Sequence, residues 1–219
     1  MLINKLKNKN ESPEDIIENL IYAYQNSRET YVENKRVFRG RSHSVSGIFE
    51  DLFADYLSKN LPDSNQYFVD QQLFSSAANI RFFPDILIMN DKINRDIIDL
   101  KLDFGWSRND VFSFCDTWNK KIDKLKGTSL TFNDGITKEK KNGFFSDNLK
   151  YHVVVSTKLN NGSNFIEIKD KVTKNLEHVE LYILTDKVHP NDYNSTAEER
   201  VKNIHICMSE FSRLMNNLS

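Results

Sequence analysis

The sequence predicts an α/β fold in which a mixed β-sheet is flanked by α-helices, and three observations predict it. Two stretches with apolar residues at helical spacing come first. A pair of β runs follows around a polar turn at 90–94, and a third helical stretch separates that pair from further β runs. The implied order is α-α-β-β-β-α-β-β-β-α.

In the first helix, 13–26, Ile16, Ile17, Leu20, Ile21 and Tyr24 form one face; Ser12 is placed to cap it and Pro13 stands at N1, where a missing N–H costs nothing. The second, 47–60, carries Ile48, Phe49, Leu52, Phe53, Tyr56 and Leu57 on one side and ends before Pro62. Residues 66–74 read as a strand, and 81–89 with 95–103 as a hairpin. Ser107, with Asp110 three residues on, opens a third helix, 107–126, whose Val111, Cys115, Trp118, Ile122 and Leu125 share a face and which Gly127 closes. Residues 128–150 are polar with few periodic apolar positions and read as a long irregular insertion, a kind of segment that is usually functional when ordered. Strands at 151–157, 164–169 and 179–184 and a closing helix, 198–218, complete the chain; there is no internal repeat.

A length of 219 residues suits one domain, 1–219, able to bury its core without staples. With 39% hydrophobic residues, disorder and collagen-like repeats are excluded. Two cysteines, Cys115 and Cys207, build neither a disulfide scaffold nor a four-cysteine zinc site, so a reduced, cytoplasmic chain is expected. The opening MLINKLKNKNESPED has no apolar core of ~7–15 residues, and no run approaches ~18 apolar residues, which predicts neither signal peptide nor membrane span. Net charge is -1, which argues against coating DNA by charge alone while leaving room for local patches. Lys35, Arg36, Arg39 and Arg41 form one, and Lys120, Lys121, Lys124 and Lys126 another; each also reads as a plain solvated face.

The hairpin carries the chemistry. Alternation sorts Phe82, Ile86 and Ile88 with Ile98, Leu100 and Leu102 onto an apolar face, broken only by Asp96 beside the turn. The other face holds Phe83, Asp85, Leu87 and Met89, then Arg95, Ile97, Asp99, Lys101 and Asp103, its charges crowded away from the turn. If the turn centres on Lys92, Asp85 lies across from Asp99, with Lys101 diagonally beside Asp85. Carboxylates so opposed have Cβ atoms ~4.5–5.5 Å apart and destabilise the sheet unless a cation lies between them. Mg²⁺, which takes one or two carboxylates, several waters and a phosphate oxygen, resolves the conflict, and Lys101 supplies positive charge for an attacking water and the scissile phosphate. The set suits phosphodiester hydrolysis. On alternation alone, an exposed hairpin edge kept soluble by its charges is the competing reading.

Pro84-Asp85, thirteen intervening residues, then Asp99-Leu100-Lys101, all preceded by a helical Glu50, resembles the motif of the PD-(D/E)XK nuclease superfamily, over about residues 46–126. The resemblance implies a restriction-endonuclease-like core, Asp85 and Asp99 as metal ligands with the backbone carbonyl of Leu100, Lys101 as the water-activating group, and Glu50 reaching the charged end directly or through a water. At ~100° per residue, helical geometry turns Asp51 away from the apolar stripe and leaves Glu50 and Asp55 at its two edges without choosing between them; the resemblance selects Glu50. An ordinary surface Glu is its plain reading. The segment Ser-Val-Ser-Gly-Ile-Phe-Glu (44–50), at about 35 residues before the Pro-Asp, is similar to type II restriction endonucleases. That likeness implies Mg²⁺-dependent cleavage of double-stranded DNA by in-line attack of a metal-polarised water, leaving a 5′-phosphate and a 3′-hydroxyl, by a homodimer whose two-fold symmetry matches a palindrome. Candidate DNA contacts are Lys35, Arg36, Arg39, Arg41 and Ser44, with Lys138, Lys140 and Lys141.

Asp103, past the motif, reads as the holder of a structural hydrogen bond. The competing functions are a repair, recombination or junction-resolving nuclease of the same superfamily, and a nucleic-acid-binding protein without activity, against which the intact Asp85, Asp99 and Lys101 set argues. His43, His152, His178, His189 and His205 are scattered and form no zinc-protease or His-Asn-His pattern; His205-X-Cys207 lacks two further zinc ligands and reads as a packed or surface pair. Trp106 and Trp118 read as core or rim residues.

Overall fold

The computed structural model describes residues 11–30, 36 and 40–219. Helix α1 spans Pro13–Asn26, and its start is a reciprocal capping box: the Ser12 hydroxyl accepts from the Asp15 N–H while the Asp15 carboxylate accepts from the Ser12 N–H. Helix α2, Ser46–Asn60, buries Phe49, Phe53, Ala54, Tyr56 and Leu57. Both helices lie where helical periodicity places them, because each carries one unbroken apolar stripe.

The expected strand 66–74 is two strands, β1 Gln66–Val69 and β2 Leu73–Ser75, separated at Asp70, whose φ of 48° turns the chain. The expected strand 81–89 is also divided, into β3 Ile80–Phe82 and β4 Ile86–Asn90. Pro84 lies in the gap, and a residue without an N–H cannot donate to a ladder. Strand β5, Ile93–Lys101, pairs antiparallel with β4 in the register Ile86↔Ile98, Leu87↔Ile97 and Ile88↔Asp96, which is the register of a turn centred on Lys92, with a bulge beside the turn.

Helix α3 runs Val111–Leu125 and starts later than the Ser107 cap predicts: Asp110 stands at the N-cap, and Gly105–Ser107 form a separate 3-10 turn. Residues 128–150 are not an irregular insertion. Strands β6 Ser129–Asn133 and β7 Lys140–Val155 form a hairpin across them. Only Leu130, Phe132, Gly143, Phe145 and Leu149 face inward there, so polar residues on the exposed face mask the two-residue period. Gly143 is required: a Cβ would collide with the Lys92 carbonyl oxygen and the end of Met89.

The expected strand 164–169 is helix α4, Phe165–Asn175; its buried Phe165 and Val172 stand seven residues apart, a helical interval that the short run Phe165-Ile166-Glu167-Ile168 hides. Strand β8 is Val179–Ile183 and β9 is Thr185–Asp186. The closing helix is interrupted: α5 Ala197–Asn203, the short strand β10 His205–Ile206 paired with β9, then α6 Met208–Leu218. No Gly or Pro marks that interruption; the pairing with β9 imposes it.

The main sheet is mixed. Its order is β1-β4-β5-β7-β6-β2-β3, with β8 paired to β7; β1, β4 and β5 are antiparallel neighbours, whereas β5–β7 and β7–β8 are parallel. Helices cover both faces, giving an α/β/α sandwich. Ile86, Ile88, Ile98 and Leu100 face α1, α2 and α6; Leu87, Met89 and Ile97 face α3 and α4. The second hairpin face is therefore core as well, and only its end away from the turn stays polar. Phe82 belongs to that second core, not with Ile86, because the Pro84 break resets the alternation.

Candidate active site

The C-terminal end of β5 gathers the charged residues. Extending the β4–β5 register by one position sets Asp85 opposite Asp99. Asp85 sits where the chain enters β4, and its carbonyl accepts from the Asp70 N–H at 3.0 Å, which ties the end of β1 to the site. Its carboxylate accepts from the Leu100 N–H at 2.5 Å. Leu100 thus meets the site through its N–H, and its side chain packs into the core beside Ile98.

Asp99 is 6% exposed, a costly place for a carboxylate unless its oxygens are satisfied. Both are: Oδ1 pairs with Lys101 Nζ at 2.5 Å and Oδ2 accepts from the Tyr151 hydroxyl at 2.9 Å. Tyr151 reaches over from the parallel strand β7. Its ring stacks on Trp118 of α3, centroids 4.2 Å apart and planes 15° apart, a contact worth about 0.5–1.5 kcal/mol beyond burial. Sequence reasoning missed Tyr151, because the β5–β7 register leaves no local signal. Lys101 lies on the same flank, its ammonium 5.6 Å from the centre of the Phe114 ring.

Burial raises the Asp85 carboxyl to about 8, with the adjacent Asp99 charge next in size; the Leu100 N–H and Lys101 pull the other way. Among the described residues, Lys101 is the one cation paired with these carboxylates. Burial, then the charges of Asp70 and Asp51, raises Glu50 above the ordinary carboxyl range, while Lys101 lowers it and Asp99 adds to the rise. The β5 charges of Lys101 and Asp99 therefore reach Glu50, though less strongly than those of Asp70 and Asp51. Asp51 is exposed, as the helical wheel predicts, and Asp55 is turned to Lys59, which also holds Glu11 at 3.1 Å. Of the two edge residues, Asp55 is committed to Lys59, and Glu50 is the one that the Lys101 and Asp99 charges reach. Asp70 is a second residue the sequence did not reveal; only the β1–β4 pairing brings it there.

Asp103 takes the structural role expected of it. Burial opposes its ionised form, but hydrogen bonds from His189, at 3.1 Å, and from Asn160 outweigh that and hold its carboxyl below the ordinary range. Beyond it, the 3-10 turn holds Trp106 wholly in solvent, while Trp118 is buried. Of the candidate DNA contacts, Arg36 and Arg41 are exposed, and Ser44 is exposed with its Oγ 3.3 Å from that of Ser46; Lys35 and Arg39 lie outside the described residues. Lys138 and Lys140 are exposed on the β6–β7 hairpin, and Lys141 lies over Phe68.

A hard dication fits the donor set. Asp85 and Asp99 present opposed carboxylates at a sheet end, with Lys101 the one cation paired to them among the described residues, and the charges of Asp99 and Lys101 also reach a third carboxyl, Glu50. Lys101 pairs with the Asp99 carboxylate, so an ammonium stands beside any ion held there. None of the described helices is long and apolar enough to cross a membrane. Comparison with protein-family models, with curated proteins and with solved structures yielded no match, so the functional reading rests on the residues of this chain.

Proposed function

We propose that this chain is a Mg²⁺-dependent endodeoxyribonuclease with a restriction-endonuclease-like core, acting on double-stranded DNA as a type II site-specific restriction enzyme. The observation that carries the reading is the opposed Asp85 and Asp99 pair with Lys101 on Asp99. Supporting it is the arrangement around the pair: three antiparallel strands, a helix and a parallel strand, with the acidic pair where the chain leaves β5.

Mg²⁺, when bound, supplies Lewis-acid polarisation of the scissile phosphate and of the attacking water. Asp85 and Asp99 would hold it, with Glu50 completing the acidic set. The Tyr151 hydroxyl and the Leu100 N–H fix the two carboxylates in place, so their orientation costs nothing when substrate arrives. Lys101, tethered by Asp99 and backed by Phe114, orients the water and balances charge on the phosphate. One such site per chain cuts one strand, so a duplex cut needs two copies, and a homodimer follows; two unpaired cysteines fit a reducing, cytoplasmic setting.

The test is incubation of the purified protein with unmethylated phage DNA in Mg²⁺ or in EDTA, with the products resolved on a gel. Discrete fragments only with Mg²⁺ are expected. Intact DNA in every buffer, with binding retained, would replace the reading by a binding protein. Trp106 favours a second reading, a nuclease of nicked, branched or single-stranded DNA, because unpaired bases stack on an exposed indole. A panel of plasmid, nicked, branched and single-stranded substrates separates the two.

A further inference from the structure

A second group of ligating side chains lies outside the candidate nuclease site. The β9–β10 ribbon sets His205 opposite Asp186, and the imidazole Nδ1 is 2.7 Å from Asp186 Oδ1. Cys207, two residues beyond His205, keeps the strand's path, its N–H donating to the Leu184 carbonyl at 2.9 Å. Alternate residues of an extended chain share a face, so the thiol joins the other two. Asp186, His205 and Cys207 are the one group of three or more His, Cys, Asp or Glu side chains among the described residues whose ligating atoms all lie within 4.8 Å of one another.

We propose that Asp186, His205 and Cys207 form a Zn²⁺ site. The ligand types select the metal: a thiolate and an imidazole are borderline-soft donors that suit Zn²⁺ and are poor ligands for Mg²⁺ or Ca²⁺. Burial, then the charges of Asp186 and Glu210, raise the free Cys207 thiol to about 11, so it is the bound ion that would hold it as a thiolate. The thiol proton leaves to solvent as the Zn–S bond forms. Side-chain exposures of 52% for His205 and 31% for Asp186 leave the fourth position to water. Sequence reading dismisses His205-X-Cys207 for want of further ligands, and the third ligand comes from a strand nineteen residues away that only the ribbon pairing brings across.

The ion would staple both ends of the segment between Asp186 and His205. That segment carries His189, which holds Asp103 two residues past Lys101, and Arg200, wholly buried with hydrogen bonds to the Pro190 and Asp192 carbonyls and to Gln25. The site is independent of the nuclease reading and stands or falls without it.

The test titrates the EDTA-stripped chain with Co²⁺ in excess Mg²⁺, following the near-ultraviolet thiolate-to-cobalt band, and then displaces the ion with Zn²⁺. One ion per chain with that band is expected, along with protection of Cys207 from alkylation by Zn²⁺. Cys207→Ala should abolish the band, and Asp186→Asn should weaken Zn²⁺ binding by at least about tenfold. Far-ultraviolet circular dichroism checks that each variant folds, and Cys207→Ser serves if the alanine variant does not. Asp99→Asn should keep the band, which separates this site from the acidic pair. No band in the native chain, a band that survives loss of the Cys207 thiol, or a band lost in Asp99→Asn would overturn the proposal.

Discussion

Replacing Asp85 by Asn should make the metal-free protein more stable, and by an amount that depends on pH. Two unit charges ~5 Å apart, the spacing of directly opposed cross-strand side chains, repel by roughly 3 kcal/mol at an effective dielectric constant of ~20. Asn removes that repulsion, and its amide oxygen can still accept from the Leu100 N–H while its NH₂ donates to the Asp99 carboxylate. The carboxyl of Asp85 is raised from the ordinary 3.8 to about 8 in the fold, so the folded chain holds a proton that the unfolded chain releases. Stability from this group is complete below the unfolded value and is lost as pH rises through about 8. In EDTA, native protein and Asp85→Asn should therefore melt together near pH 4. At pH 9 the variant should melt higher by about 6–12 °C, taking about 2–4 °C per kcal/mol for a chain of this length. Calorimetry or circular dichroism across that range measures it. Mg²⁺ at pH 9 should close the gap by stabilising the native protein alone. A difference in melting temperature that is the same at pH 4 and pH 9, or a variant less stable at pH 9, would refute an unrelieved carboxylate pair.

Further consequences concern activity. Asp99→Ala should abolish cleavage while DNA binding survives or tightens, measured by gel shift in Ca²⁺; cleavage at near-native rate would move the site elsewhere. Lys101→Ala should lower the single-turnover cleavage rate by roughly 10²–10⁴ with little change in binding, as expected for a group that acts on the attacking water. Glu50→Ala should impair Mg²⁺-dependent cleavage and Asp51→Ala should not; equal losses would contradict the helix-face assignment. Trp106→Ala should weaken DNA binding by about 1–3 kcal/mol if a base stacks there, and Trp106→Phe should restore most of it. Because Trp118 is buried, quenching of the native fluorescence by DNA reports Trp106 directly.

Local patterns carried much of this architecture. Helix α1 is complete in its residues, with Ser12, Pro13 and Asp15 at its start and an unbroken stripe from Ile16 to Tyr24. The β4–β5 register is equally local, since a short turn leaves one pairing that buries Ile86 and Ile98 together. From that register follow Asp85 opposite Asp99 and Lys101 beside them, the whole centre of the candidate site. The failures fall where packing overrides pattern: α4 was legible only by extending the run to Val172, and the β6–β7 hairpin hides its period under an exposed polar face.

By itself, then, the chain determined its α/β class, its first helices and the acidic hairpin, because each depends on neighbours a few residues apart. The tertiary structure decided what long-range pairing alone can place. Parallel alignment of β7 with β5 brings Tyr151 to Asp99, the β1–β4 ladder brings Asp70 to Asp85, and the β9–β10 ribbon brings Asp186 to His205. No sequence interval specifies those registers; they are set by burying both faces of the sheet under α1, α2 and α6 on one side and α3 and α4 on the other.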